Sequence, residues 1–197
     1  MMRSAASPFI LASLDKALAG QPADSPVHLL DLACGTGRHI TAVLDKGYQA
    51  DLQITAADIN ADSLDQLMAG LPTGAPVRPV CIDLEQDGLA LAAELAGRLG
   101  QHRFDLVVVT NYLHRPLLAQ IFDLVSPDGQ LLYETFGQGN EAFGKPSRPA
   151  FLLAKGELAA ALPPEFSVQH SFFGQRQELY PEQSPAIISQ LAARRNS

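Results

Sequence analysis

Three acidic residues and two glycines stand at spacings that suit a nucleotide-like ligand. The segment Asp31-Leu32-Ala33-Cys34-Gly35-Thr36-Gly37 closes an apolar run, Val27 to Leu32. Glycines at such a point let the chain turn sharply and let a ligand approach the backbone. The helix expected next offers free N–H groups and a partial positive charge to an anion. Asp58 ends the following apolar run, 21 residues beyond Gly37, where an acid can accept both ribose hydroxyls of an adenosine-containing ligand. Asp83 ends a third run, in reach of an adenine edge. Each acid alone is an ordinary cap or turn residue. Together they mark successive strand ends, where open α/β sheets bind ligands.

The same residues exclude other sites. A dinucleotide fingerprint requires a glycine where Ile40 stands, and a phosphate-binding P-loop requires a Gly-Lys-Ser/Thr triplet that the loop lacks. The two cysteines, Cys34 and Cys81, form neither a CxxC nor a His/Cys cluster. No disulfide framework and no metal site is expected, and a reducing cytoplasm is the simplest setting.

The elements that must position these residues follow from periodicity and punctuation. Ser7 reads as the cap of a helix over 8–19, with Pro8 in its first position and Gly20 ending it. Pro8, Ser13 and the Asp15-Lys16 pair interrupt the apolar stretch too much for a signal peptide. Strands are expected at Val27–Leu32, Leu52–Ala57, Val77–Ile82, Leu106–Thr110 and Leu131–Phe136. Pro79 argues that the third lies at a sheet edge. Helices are expected over 38–46, after the cap Asn60, over 88–99, and from Pro116 to about Val125. Ser126-Pro127-Asp128-Gly129 reads as a turn. Alternation at 20- to 30-residue spacing is the pattern of βαβ units around a parallel sheet covered on both faces. A short helix over 156–162 then precedes two strand-like runs, Phe166–Phe173 and Ala186–Ala193. With no helix between them, they should pair antiparallel.

A chain of 197 residues with 47% hydrophobic and 18% charged residues forms one domain, 1–197, with a sizeable core and no intrinsic disorder. Its net charge of −7 disfavours nucleic acid as a partner, and no apolar run is long enough to span a bilayer.

DLACGTG, followed by the acids in AADIN and CIDLE, resembles the S-adenosylmethionine (SAM) site of class I methyltransferases. The resemblance extends over nearly the whole chain. It implies an α/β, three-layer Rossmann-like sandwich whose seven-stranded, mostly parallel sheet has its last strand antiparallel. It implies SAM as cofactor, with Asp31, Ala33, Gly35 and Gly37 lining the methionine moiety. Asp58 would hold the ribose, with Ile59 beside the adenine, and Asp83 and Leu84 would bracket that ring. Thr110, Asn111 and Tyr112 would face the methyl group. Cys34 departs from the pattern and is expected to be a small residue facing the ligand. The segment YETFGQGNEAFGKPSRPAFLLAKGEL is similar, more loosely, to the tellurite-resistance methyltransferase group.

Methyl transfer from a sulfonium is an in-line displacement, so an acid or base is needed only when the acceptor must lose a proton. Candidates follow the fourth and fifth strands: Asn111, Tyr112, His114, Arg115, Tyr133 and Glu134. Tyr112 can also favour the sulfonium through its ring face. Glu134 ranks above Tyr133, because a charge inside a central strand is costly unless it is paired or functional. The catalytic set expected is Asn111, Tyr112 and Glu134. The stretch 137–155 is a long glycine-containing loop with Phe143, Lys145 and Arg148, a candidate lid. The expected activity is methylation of a small molecule by a monomer or homodimer. A non-catalytic SAM-binding partner subunit of the same fold is the alternative.

Overall fold

The computed structural model describes residues 5–19, 26–47 and 51–197. Gly20, the expected stop of the first helix, lies outside them. Helix α1 spans Pro8–Leu18, with the Ser7 side chain accepting from the Ile10 N–H. Strand β1 (Pro26–Leu32) leads to α2 (Arg38–Asp45), and β2 (Asp51–Asp58) leads to α3 (Ala61–Ala69). Strand β3 (Val77–Cys81), α4 (Leu91–Leu99), β4 (Phe104–Thr110), α5 (Leu118–Asp123) and β5 (Val125–Phe136) continue the alternation. The chain closes with α6 (Glu157–Ala160), β6 (Phe166–Gln175), α7 (Arg176–Leu179) and β7 (Ile187–Arg195).

The seven strands form one sheet in the order β3-β2-β1-β4-β5-β7-β6. Strands β1 to β5 pair in parallel, whereas β7 is antiparallel to both β5 and β6. Alternate residues serve opposite faces. Leu30, Leu32, Val107, Val109 and Tyr133 pack with α4 and α5; Leu29, Ile54, Val108 and Leu132 pack with α1, α2 and α3. Apolar strands buried on both faces are what a parallel sheet between helices requires. Pro79 sits on β3, an edge strand, as its missing N–H demands.

Three expectations change. The Ser126–Gly129 segment is not a terminating turn but an excursion inside β5, between the pairs Phe104–Val125 and Leu106–Gln130. Gly129 fits there because a Cβ would lie 2.9 Å from the Asp105 and Ser126 carbonyls. The helix from Pro116 opens as a 3-10 turn, Arg115–Leu117, and ends at Asp123. A short helix, α7, does interrupt the closing hairpin; its capping box between Gln175 and Glu178 is a local signal that composition alone hides.

Candidate active site

The chain order reverses between β1 and β4, the point where ligands bind in open α/β sheets. Both strands end there in a left-handed residue that is not glycine: Ala33 at φ 57° and Asn111 at φ 55°. Strained backbone of this kind clusters at functional sites. The glycine loop follows Ala33. Gly35 (φ 56°) has nothing within 4 Å of where a Cβ would project, so its α-carbon faces open space. Gly37 (φ 68°) is different: a Cβ there would meet Leu67 of α3 at 2.5 Å. One glycine leaves room in front of the loop; the other lets α3 pack behind it.

The carboxylate of Asp58 ties the loop to β2. It accepts from the Gly35 N–H at 2.7 Å through one oxygen and from the Asn60 N–H at 2.9 Å through the other. Beside it opens a cleft of about 520 Å³ lined by Ala33, Asp58, Ile59, Ile82, Asp83, Leu84, Glu85 and Tyr112. Ile59 is 62% exposed at this rim. One Asp83 oxygen accepts from the Glu85 N–H at 2.9 Å. Tyr112 forms the facing wall. Its hydroxyl is buried without a partner, and burial with Glu85 and Asp83 nearby pushes its ionisation upward.

Asp31 lies deeper, between Ala56 of β2 and Val108 of β4. It is 1% exposed, and neither carboxylate oxygen has a hydrogen-bond partner. Burial pushes its pKa up to about 7, against the pull of Arg38 and with a further push from Asp58. Cys34 packs in the core on the α1–α2 side of the sheet, its thiol pushed up by burial and by Asp31 and Asp58.

Thr110, Glu134 and Gln190 form a row across β4, β5 and β7 on that same face. Glu134 is buried, and one of its oxygens accepts from the Ser7 hydroxyl at 2.9 Å and the Gln190 amide at 2.6 Å. The Ser7 N–H donates to His39 Nε2 at 3.0 Å. Burial and the neighbouring Arg38 hold His39 down at about 3, so this ring stays a neutral acceptor. Tyr133 faces the other side, where its hydroxyl donates to the Tyr112 carbonyl at 2.8 Å. The strand alternation of Tyr133 and Glu134 was legible; the partners Ser7, His39 and Gln190 carried no motif that could announce them.

Arg115 is a strap. Its guanidinium makes a two-point contact with Glu157 at 2.6 and 3.0 Å and donates to the carbonyls of Ala150 and Leu152. That ties the far side of the 137–155 segment. The near side is held by the Gly137–Leu153 bridge and by Asn140, whose side chain bonds the Pro146 carbonyl and the Ile187 N–H. The span between remains exposed, including Phe143 at 41%, and Phe151 within the strapped stretch is 42% exposed. Among the described residues no cluster of His, Cys, Asp or Glu is arranged to hold a metal ion, and no helix is long and apolar enough to cross a membrane.

No protein-family model matches the chain, and no curated protein matches it in sequence. Solved structures do match. A SAM-dependent methyltransferase from Mesorhizobium loti superimposes with TM-score 0.60 at 19% identity, covering 93% of this chain and 98% of that one. TehB from Haemophilus influenzae, of the tellurite-resistance type, gives TM-score 0.63 at 18% identity over 95% of this chain and 62% of its own. The [4+2]-cyclase SpnF matches with TM-score 0.61 at 14% identity, over 95% and 80% of the two chains. The architecture is therefore the Rossmann-like fold of SAM-dependent methyltransferases, a fold that a cyclase also uses.

Proposed function

We propose that the protein is a SAM-dependent methyltransferase with a small-molecule acceptor. The observation that carries this reading is Asp31: a carboxyl group fully buried beside the glycine loop, with both oxygens unpartnered. An unsatisfied buried acid costs about 1–3 kcal/mol or more, so the site calls for a donor from a ligand, and a cation suits it best. The ammonium of the methionine moiety answers that call directly or through a bridging water. Gly35 supports the fit, because its α-carbon faces open space that a side chain would fill.

The remaining residues divide the ligand among them. Asp58 uses both oxygens on the backbone, which fixes its orientation. A carboxylate accepts at about four positions, so capacity remains for two ribose hydroxyls. Ile59, Ile82, Leu84 and Ala33 offer apolar surface to the adenine, and Asp83, which lines the same cleft, keeps a second oxygen that would serve its edge. Thr110 ends β4 and Asn111 follows it at the switch point, where the reacting end would lie, and Tyr112 walls the adjoining cleft. SAM, when bound, supplies a methyl group activated on a sulfonium. The chain's part is then orientation, which alone contributes up to roughly 7–11 kcal/mol in well-aligned systems. Glu134, held by Ser7 and Gln190, serves better as a fixed negative charge near the site than as a mobile base. The acidic net charge favours a small acceptor over nucleic acid, and the two free cysteines fit a reducing, cytoplasmic setting.

Thermal melts with S-adenosylhomocysteine (SAH), SAM, NADH and NADPH test the cofactor. Ligand at about 100 times its Kd adds roughly 2.7 kcal/mol. Stabilisation by SAH and SAM alone is expected; stabilisation by the dinucleotides with none by SAH overturns the reading. Asp58→Ala should weaken SAH binding at least about tenfold, since charged hydrogen bonds contribute roughly 1.5–3 kcal/mol each.

A further inference from the structure

Asp31 stands at the centre of the sheet with no solvent and no hydrogen-bond donor to stabilise its charge. Three charged or titratable groups surround it. Arg38, the first residue of α2, favours the carboxylate; Asp58 on β2 opposes it; the Cys34 thiol of the loop stays protonated. Glu134 on β5 and Arg176 on α7 act on Arg38 in turn, one raising and one lowering its hold on its proton. Arg176 itself lies over the Phe136 ring, 5.8 Å from its centroid. His39, also on α2, is neutral and adds no charge. Burial is the largest of these influences and favours the neutral carboxylic acid.

Resting on the cofactor reading above, we infer that ligand binding here is coupled to proton release: below neutral pH the ligand-free protein holds Asp31 as a carboxylic acid, and an incoming ammonium is accepted by the carboxylate. The balance is simple. The O–H bond of the acid breaks, its proton leaves to solvent, and the carboxylate remains paired with the ligand cation. The pKa of about 7 in the empty protein sets the window, because a nearby cation lowers it when bound. Affinity then rises with pH up to the neutral range and levels above it.

Two ligands separate this coupling from the cofactor reading. SAH carries the ammonium; 5′-methylthioadenosine has the same adenosine half without it. Calorimetry at pH 6.0 and 7.5 should show SAH binding weakened close to tenfold at the lower pH, with nearly one proton released there when two buffers of different ionisation enthalpy are compared. Methylthioadenosine should bind with the same affinity at both. Asp31→Asn, checked for a native melt, should bind SAH weakly and without pH dependence. If SAH affinity is flat across this range, or if methylthioadenosine follows the same pH dependence, the coupling is wrong while the cofactor site stands. If neither ligand binds at any pH, the cofactor reading itself falls.

Discussion

Replacing Gly35 and Gly37 separately by alanine should produce opposite defects, although the residues are two apart in one loop. Both have positive φ, 56° and 68°, so each alanine incurs the left-handed penalty of about 1–2 kcal/mol. Ala33, already at φ 57°, shows that this chain tolerates one such residue. The difference is what the new methyl meets. At position 37 it lies 2.5, 2.7 and 3.0 Å from Cδ1, Cδ2 and Cγ of Leu67, a branch point of a side chain only 1% exposed. Over-packing of a core adds about 1–3 kcal/mol. Gly37→Ala should therefore lose roughly 2–5 kcal/mol in all, with Tm falling by about 2–4 °C per kcal/mol. At position 35 the methyl meets nothing, so only the backbone penalty applies and Tm falls by a few degrees. That methyl instead occupies the space in front of the loop, and SAH affinity should drop at least about tenfold, equivalent to 1.4 kcal/mol. Paired melts and SAH titrations decide the matter. Equal destabilisation by the two substitutions, or unchanged SAH affinity in a folded Gly35→Ala protein, refutes the division of labour within the loop.

Stability should respond to pH through two buried groups with opposed effects. Asp31, raised from 3.8 to about 7, makes the folded state bind more protons and so lowers stability as pH rises through that window; His39, lowered from 6.5 to about 3, makes the folded state bind fewer protons and so lowers stability as pH falls below 6.5. Between about pH 4 and 6.5 the two slopes cancel, so relative to wild type Asp31→Asn should become less stable toward acid, and His39→Gln less stable toward neutrality, by at most about 1.4 kcal/mol per pH unit. Denaturant titrations at pH 4.5, 5.5 and 6.5 check this, and parallel curves for all three proteins contradict it. Arg115→Ala removes the strap on Ala150, Leu152 and Glu157; amide exchange should accelerate across 150–157 and remain unchanged in β1 and β2. Phe143→Ala should impair turnover far more than SAH binding if the exposed tip of the 137–155 loop closes over the acceptor, and equal effects on both argue against a lid.

Much of the architecture was legible because it is locally encoded. The apolar runs, the helix caps Ser7 and Asn60 and the glycine loop each act within a few residues, and Pro79 signalled an edge by lacking one N–H. The closing antiparallel hairpin was readable from two strand-like runs taken to have no helix between them; α7 does lie there, but its four residues are too short for a crossover that would make the strands parallel. The acids Asp31, Asp58 and Asp83 stood out because each ends or nearly ends a strand, and strand ends are where such a sheet admits a ligand. What each carboxylate does depended on tertiary structure. Asp58 is satisfied by two backbone N–H groups, one local from Asn60 and one from Gly35 across the β1–β2 pairing, whereas Asp31, between β2 and β4, is left without a donor. The charge of Glu134 inside a strand called for a partner, but the partners are Ser7, 127 residues away, and Gln190, 56 residues away. Arg115, a candidate for proton transfer by its place after the fourth strand, is instead a strap through contacts 35 to 42 residues distant. Side-chain periodicity tells which face of a strand a residue occupies; only the order of the strands and the docking of α1 decide what waits on that face.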